Sequence, residues 1–146
     1  MFTIEILHHV SLPVSDLERS KRFYEEIIGL KPMQRPDFDF PGAWYQVGQS
    51  QQLHLIVHDK STFRAGKGMD TRDIHFAIRV KSYRETVEFL RSLGYSPEAT
   101  DEFKKTVESP RARAGFPQIY LLDPDRNVIE LNAAQLDLDS DPPVSR

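Results

Sequence analysis

The stretch Ile4–Leu30, IEILHHVSLPVSDLERSKRFYEEIIGL, decides the fold because the chain contains it twice. Laid over Thr71–Tyr95, TRDIHFAIRVKSYRETVEFLRSLGY, it puts His9 on His75, Val10 on Phe76, Leu12 on Ile78, Val14 on Val80 and Phe23 on Phe89 at one constant offset. Self-similarity on this scale marks a supersecondary unit used in tandem. In each copy an alternating apolar run reads as a strand. The Ser-x-x-Glu spacing of Ser15 with Glu18, and of Ser82 with Glu85, then predicts a capped helix start. Leu17, Tyr24, Ile27 and Ile28 keep helical spacing, as do Tyr83, Val87, Leu90 and Leu93. Gly29 and Gly94 fall where a left-handed helix end is wanted.

The remainder of each copy also matches. WYQVGQSQQLHLIV, from Trp44, reads as strand, polar turn, strand, and so does YLLDPDRNVIELNA, from Tyr120. Asp123-Pro124-Asp125-Arg126-Asn127 supplies the second turn. The second copy is longer in SPEATDEFKKTVESPRARAGF, read as a strand and an arginine-bearing loop. The chain is thus expected to be one domain over 1–134, with module one at about 4–60, a linker at 61–72, module two at about 73–134 and a flexible tail at 135–146. Strands with few helices give an α+β class. A helix beside each half-sheet buries one face and leaves the other free to line a shared cleft.

Composition narrows the function. The 146 residues contain no cysteine, which excludes disulfides, thiolate metal sites and a cysteine nucleophile. A net charge of −3 gives no basic excess for nucleic acid. No run of about 18 apolar residues suggests a membrane span, and MFTIEILHHV does not read as a secretion signal, so a cytoplasmic setting is expected. Any metal must rest on imidazole and carboxylate.

Side-chain alternation then sorts the histidines. In the first strand Val10, Leu12 and Val14 share the more apolar face, which leaves His9 on the other. Phe76, Ile78 and Val80 leave His75 on the other face in the same way. His54 alternates with Leu53 and Leu55. Glu130 alternates with Ile129 and Leu131, and Asn132 shares its side. His9, His54, His75 and Glu130 occupy repeat-equivalent positions, which independent structural residues need not do. Three imidazoles and a carboxylate suit Ni, Zn, Co, Mn or Fe(II). His8 has the wrong parity and His58 lies near a strand end, so both are expected to be structural.

These residues resemble the vicinal oxygen chelate superfamily, which includes glyoxalase I, methylmalonyl-CoA epimerase, extradiol dioxygenases and bleomycin-resistance proteins. HHVSLPVSDLERSKRFYEEIIGL is similar to its first βα unit, IHFAIRV to its third ligand strand, and YLLDPDRNVIELN to its turn and terminal glutamate strand. QRPDFDFPGAWYQVG with LHLI is similar to glyoxalase-I-like proteins. The resemblance implies paired βαβββ modules forming a cupped mixed sheet around one divalent metal ion. It makes His9 the first ligand, His75 the third, and Glu130 the fourth ligand and catalytic base. His54 stands where glyoxalase I has glutamate, which makes the site one charge more positive and removes one member of a paired acid and base.

The implied activity is a lyase or isomerase acting on a small oxygen-chelating substrate. An Fe(II) dioxygenase is the runner-up, built on His9, His75 and Glu130. Arg126 in place of the turn glycine, and no histidine before Tyr120, count against standard extradiol cleavage. A drug-binding or metabolite-binding protein without turnover is the third reading. Arg79, Arg113 and Trp44 are candidate substrate contacts. The substrate is expected to be anionic or a thiol adduct, with Lys104, Lys105 and Arg111 flanking the same loop as Arg113. Phe38, Phe40, Trp44 and Tyr45 wall a pocket, meet a partner or pack a core. Two modules suggest a homodimer, with the site inside each chain or shared, His9 and His54 from one subunit and His75 and Glu130 from the other.

Overall fold

A computed structural model describes residues 1–58 and 62–138. It divides into two compact units, Met1–Lys67 with Asp123–Asn127, and Gly68–Leu122 with Val128–Arg146. The first carries β1 (His9–Val14), α1 (Leu17–Arg22), β2 (Lys31–Met33), β3 (Gly42–Val47) and β4 (Gln51–Val57). The second carries β5 (His75–Val80), α2 (Tyr83–Ser92), β6 (Val107–Ser109), β7 (Gln118–Leu122) and β8 (Val128–Ala133). Each holds a four-stranded mixed sheet, ordered β1-β4-β3-β2 in one and β5-β8-β7-β6 in the other. The expected α+β class and βαβββ order are both present. In each sheet the βα unit returns as a parallel pair, β1 with β4 and β5 with β8, and the other neighbours are antiparallel.

Alternation sets the core. In the first sheet Leu12 pairs with Leu55 and Tyr45 with Leu53, so these buried side chains share one face with Val14. Phe23 and Tyr24, beyond α1, are buried with them. In the second sheet Ile119, Leu121, Ile129, Leu131 and Ala133 are buried, as are Tyr83 and Leu90 of α2. All six residues of β8 are buried, polar Glu130 and Asn132 included. Burying a large apolar side chain contributes roughly 1.5–3 kcal/mol, so these faces fix the register.

The helix ends follow the sequence with one correction. Ser82 caps α2 as predicted, its Oγ accepting from the Glu85 amide at 3.1 Å. Asp16, rather than Ser15, caps α1, accepting from the Arg19 amide at 3.0 Å. Ser15 is engaged elsewhere: its amide donates to Asp125 at 3.1 Å and its hydroxyl to the same carboxylate. The first helix also gives way to a π-helical turn, Phe23–Ile27, before Gly29 ends it at φ +80. Gly94 ends α2 at φ +85. Asp137, in the segment expected to be a tail, accepts from the Arg84 amide at 2.8 Å and bonds the Ser82 hydroxyl. Residues 139–146 of that segment, and 59–61 at the expected module end, lie outside the described residues.

The Asp123–Asn127 turn groups with the first unit for a visible reason. Asp123 accepts from the Tyr24 hydroxyl at 2.7 Å, from Asn127 Nδ2 at 2.8 Å, and from the amides of Asp125 and Asn127 at 2.9 and 2.8 Å. Burial still holds its carboxyl above the usual range, against those four donors. Arg126 takes the left-handed φ of 68 that a glycine would fill without strain. No helix among the described residues is long and apolar enough to cross a membrane.

Candidate metal centre

In the first unit the parallel register sets Ser11 beside His54 and the antiparallel one sets Trp44 opposite it. His9, His54 and Trp44 therefore project from the face opposite Leu53 and Leu55. Their rings stack. Trp44 and His54 lie 4.0 Å apart at 5°, and His54 and His9 lie 4.3 Å apart at 18°. His54 Nε2 is 2.8 Å from Gln52 Oε1, an atom that only accepts, so Nε2 carries the proton and Nδ1 keeps its electron pair. Burial, then the neighbouring His9, His8 and Arg35, hold the His54 imidazole below its usual pKa. A neutral imidazole is the form that binds a metal. His8 lies just outside β1, with its Nδ1 at 2.9 Å from His9 Nδ1. His58 follows β4, its ring 5.1 Å from Phe63.

In the second unit Tyr120 and Ala77 flank Glu130 in register, and Arg79 and Gln118 flank Asn132. Glu130 is 5% exposed, so its charge needs compensation. Its Oε1 accepts from Gln118 Nε2 at 2.9 Å and from Asn132 Nδ2 at 2.9 Å. Arg79 Nε donates to Asn132 Oδ1, which fixes that amide with its nitrogen toward Glu130. Burial alone would raise the Glu130 carboxyl. The bonds from Asn132, Gln118 and Tyr120, with His75 beside them, hold it below the usual range instead. Oε2 is left facing His75 Nε2 at 3.2 Å. His75 Nδ1 is 2.8 Å from the Asp73 carbonyl, which can only accept, so Nδ1 carries a proton. With its proton on Nδ1, His75 turns Nε2 toward the carboxylate, where it makes an ion pair if that nitrogen is also protonated and offers a donor atom beside Oε2 if it is not.

Each unit assembles two of the four expected ligands, His9 with His54 and His75 with Glu130. Among the described residues no three His, Asp or Glu side chains stand together so as to hold a metal ion. Trp44 sits against His54. Arg79 donates from Nε to Asn132 Oδ1 and lies over the Phe116 ring at 5.0 Å. Arg113 is exposed in the turn before β7. Sequence reasoning missed Gln52 and Gln118. The signal was present, because each lies two residues from a strand residue of the site face and period-two alternation carries it there.

The model of the Glyoxalase/Bleomycin resistance protein/Dioxygenase superfamily matches residues 6–131. The chain belongs to this superfamily. A curated relative, Glyoxylase I 4 of Arabidopsis thaliana, is 26% identical over 127 residues, 86% of this chain and 68% of that protein. Among solved structures, a glyoxalase family protein from Bacillus anthracis has a TM-score of 0.67 at 22% identity, covering 91% of this chain and 98% of that one. Lactoylglutathione lyase from Agrobacterium tumefaciens has a TM-score of 0.63 at 17% identity, over 89% and 94% of the two chains. The fosfomycin resistance protein FosX from Listeria monocytogenes, in a mutant form complexed with Mn(II) and 1S,2S-dihydroxypropylphosphonic acid, has a TM-score of 0.64 at 20% identity, over 92% and 95%. At these identities the structural likeness is one of fold. Members of the superfamily are mostly metal-dependent enzymes.

Proposed function

We propose that this chain is a divalent-metal-dependent enzyme of the vicinal oxygen chelate type, a glyoxalase-I-like lyase or isomerase working as a homodimer. His9, His54, His75 and Glu130 are its ligands, and the metal is Ni, Zn, Co, Mn or Fe(II). The observation that carries this reading is the convergence of His75 Nε2 on Glu130 Oε2 at 3.2 Å, with the far side of each group held by other bonds. The donor set fits such a metal: imidazole nitrogens with one carboxylate oxygen, and His75 oriented by a carbonyl on its other nitrogen. Three neutral imidazoles and one carboxylate leave a divalent ion one positive charge, which favours a substrate that presents two neighbouring oxygens.

When bound, the metal supplies a Lewis acid that stabilises negative charge developing on substrate oxygen. The chain's own residues do the rest. Trp44 closes one side of the imidazole pair and excludes water from it. Glu130 Oε2 takes a proton from the carbon alpha to a carbonyl and returns it to the neighbouring carbon, which requires that its bond to the metal be labile. Oε1 stays with Gln118 and Asn132 meanwhile, so the carboxylate keeps its orientation as the proton moves. A second reading, an Fe(II) dioxygenase on His9, His75 and Glu130 alone, draws on the commitment of His54 Nε2 to Gln52.

Metal analysis of the pure protein, followed by assays with each metal on methylglyoxal–thiol adducts and on catechols, tests both. Adduct turnover lost in Glu130→Gln supports the first reading, and oxygen uptake with Fe(II) supports the second. Stoichiometric metal-free capture of a small molecule without turnover would overturn both. Mixing His9→Ala with Glu130→Gln protein restores part of the activity only where the ligands come from two chains.

A further inference from the structure

The site face of the second sheet is closed at one end and open at the other. Along β8 it runs through Val128, Glu130 and Asn132, along β5 through His75, Ala77 and Arg79, and along β7 through Leu122, Tyr120 and Gln118. At the Val128 end the chain covers itself: Tyr120, Leu122 and Val128 are buried, with Met69 and Phe103 packed against them. Farther along, β5 is exposed on this face at Ala77 and at Arg79. Ala77 sets only a methyl group beside Glu130, so the way from Glu130 to Arg79 is open. Within this unit, a substrate held at Glu130 has room to extend toward Arg79.

Arg79 is held there with part of its donor set unused. Its Nε donates to Asn132 Oδ1, and its guanidinium carbon lies over the Phe116 ring, 5.0 Å from the centroid. Those two contacts keep the group in place. Among the described residues its Nη1 and Nη2 donate to nothing, and no carboxylate pairs with it. A guanidinium stays charged, and its planar fork matches two oxygens of one oxyanion. The neutral Asn132 amide does not answer that charge. Glu130 stands beyond the amide, with Oε1 bonded to Asn132 and Oε2 turned to His75.

We propose that the Nη edge of Arg79 binds an oxyanion, a carboxylate or phosphonate that the substrate carries apart from its chelating oxygens. Asn132 and Arg79 lie one two-residue step along the strands from Glu130 and Ala77, roughly 6–7 Å. The substrate is thereby narrowed to one that spans this step with a charge at its far end. The proposal rests on the preceding reading for the chelating oxygens. The Arg79 subsite lies wholly within the second unit and forms without the metal.

Nitrogen-15-labelled, metal-free protein is titrated with methylphosphonate, with its neutral dimethyl ester, and with sodium chloride at matched ionic strength. The Arg79 Nε–H resonance, assigned by its absence in Arg79→Lys, reports the subsite directly. Methylphosphonate is expected to move it saturably, and the ester and chloride to leave it in place. Arg79→Lys keeps the charge and loses the fork. Methylphosphonate, followed there at the Asn132 side-chain amide, should bind about three- to tenfold more weakly. On metal-loaded protein, glutaric acid monohydroxamate presents two neighbouring oxygens and a distant carboxylate. It should bind about three- to tenfold more tightly than its methyl ester. An unmoved Arg79 resonance, one that chloride or the ester moves equally, or equal affinity of the acid and its ester overturns the proposal, whether or not Arg79→Lys folds. Methylphosphonate binding at Arg79 in a protein that takes up no metal would overturn the metal reading alone. Metal uptake with an unmoved Arg79 resonance would overturn only the subsite.

Discussion

His75 Nε2 and Glu130 Oε2 face each other 3.2 Å apart, each group held by bonds on its far side. If they share a divalent ion, the protein should take up about one metal per chain. Glu130→Gln keeps the shape and removes the charge, so its metal affinity should fall on the order of 100-fold or more, beyond the effect of losing an outer partner. Titration calorimetry on chelator-stripped protein checks this, and an unchanged affinity would exclude Glu130 as a ligand.

Arg79 acts on Glu130 through Asn132 and is a positioning residue. Asn132→Ala removes a donor from Oε1, and Arg79→Gln frees the Asn132 amide to turn over. Each should weaken metal binding about 10–100-fold, with the smaller loss in Arg79→Gln, where Gln118 and Asn132 can still donate. The same calorimetry applies, and far-ultraviolet circular dichroism shows whether the sheet survives.

The pH response of the metal-free protein follows from His54. Its folded pKa lies below the ordinary value of 6.5, chiefly through burial and then through His9, His8 and Arg35. The unfolded chain therefore takes up a proton that the folded one resists. His54 contributes stability above about pH 6.5, and that contribution is lost as the pH falls through its lowered folded pKa. Urea midpoints at about pH 7.5 and about pH 5.5 should differ less in His54→Phe than in wild type.

Tyr24→Phe removes one of the four donors to the buried Asp123 carboxylate. The ring still packs, so the change isolates the hydrogen bond. Leaving a buried acceptor one partner short costs about 1–3 kcal/mol. The urea midpoint should drop with an unchanged slope.

Gly42→Ala should cost about 1–3 kcal/mol by overpacking. Its new Cβ would meet the Leu55 carbonyl oxygen at 2.4 Å, in the neighbouring strand, and backbone there cannot move aside without breaking the ladder. Thermal unfolding measures it.

Much of the fold was legible because the sequence writes its unit twice. The offset between His9 and His75 located both parallel strands, and alternation gave the faces of β1, β4, β5 and β8. The α1 cap was misplaced, because Ser15 and Asp16 are both good caps locally. The choice between them is made by Asp125, more than a hundred residues away in the chain. The pairings of His9 with His54 and of His75 with Glu130 were readable for the same periodic reason. The partners Gln52 and Gln118 were less so, since a glutamine in a strand looks like any solvated polar residue until its register is known. The bond from Arg79 Nε to Asn132 was hidden too: inward parity put Arg79 on the face of Glu130, but only the register sets it beside Asn132.

The turn that closes the second hairpin has a bearing on how this protein can be dissected. Asp123 and Asp125 are distant in sequence from Tyr24, Ser15 and Ser20, yet those hydroxyls and the Ser15 amide bond to their carboxylates. A gene fragment ending near Lys67 would carry an apparently whole repeat and still strand the Tyr24 hydroxyl in its interior. The repeat is visible in the letters, yet the first compact unit includes Asp123–Asn127 from far along the chain, so a cut between the repeats does not coincide with the boundary of the unit.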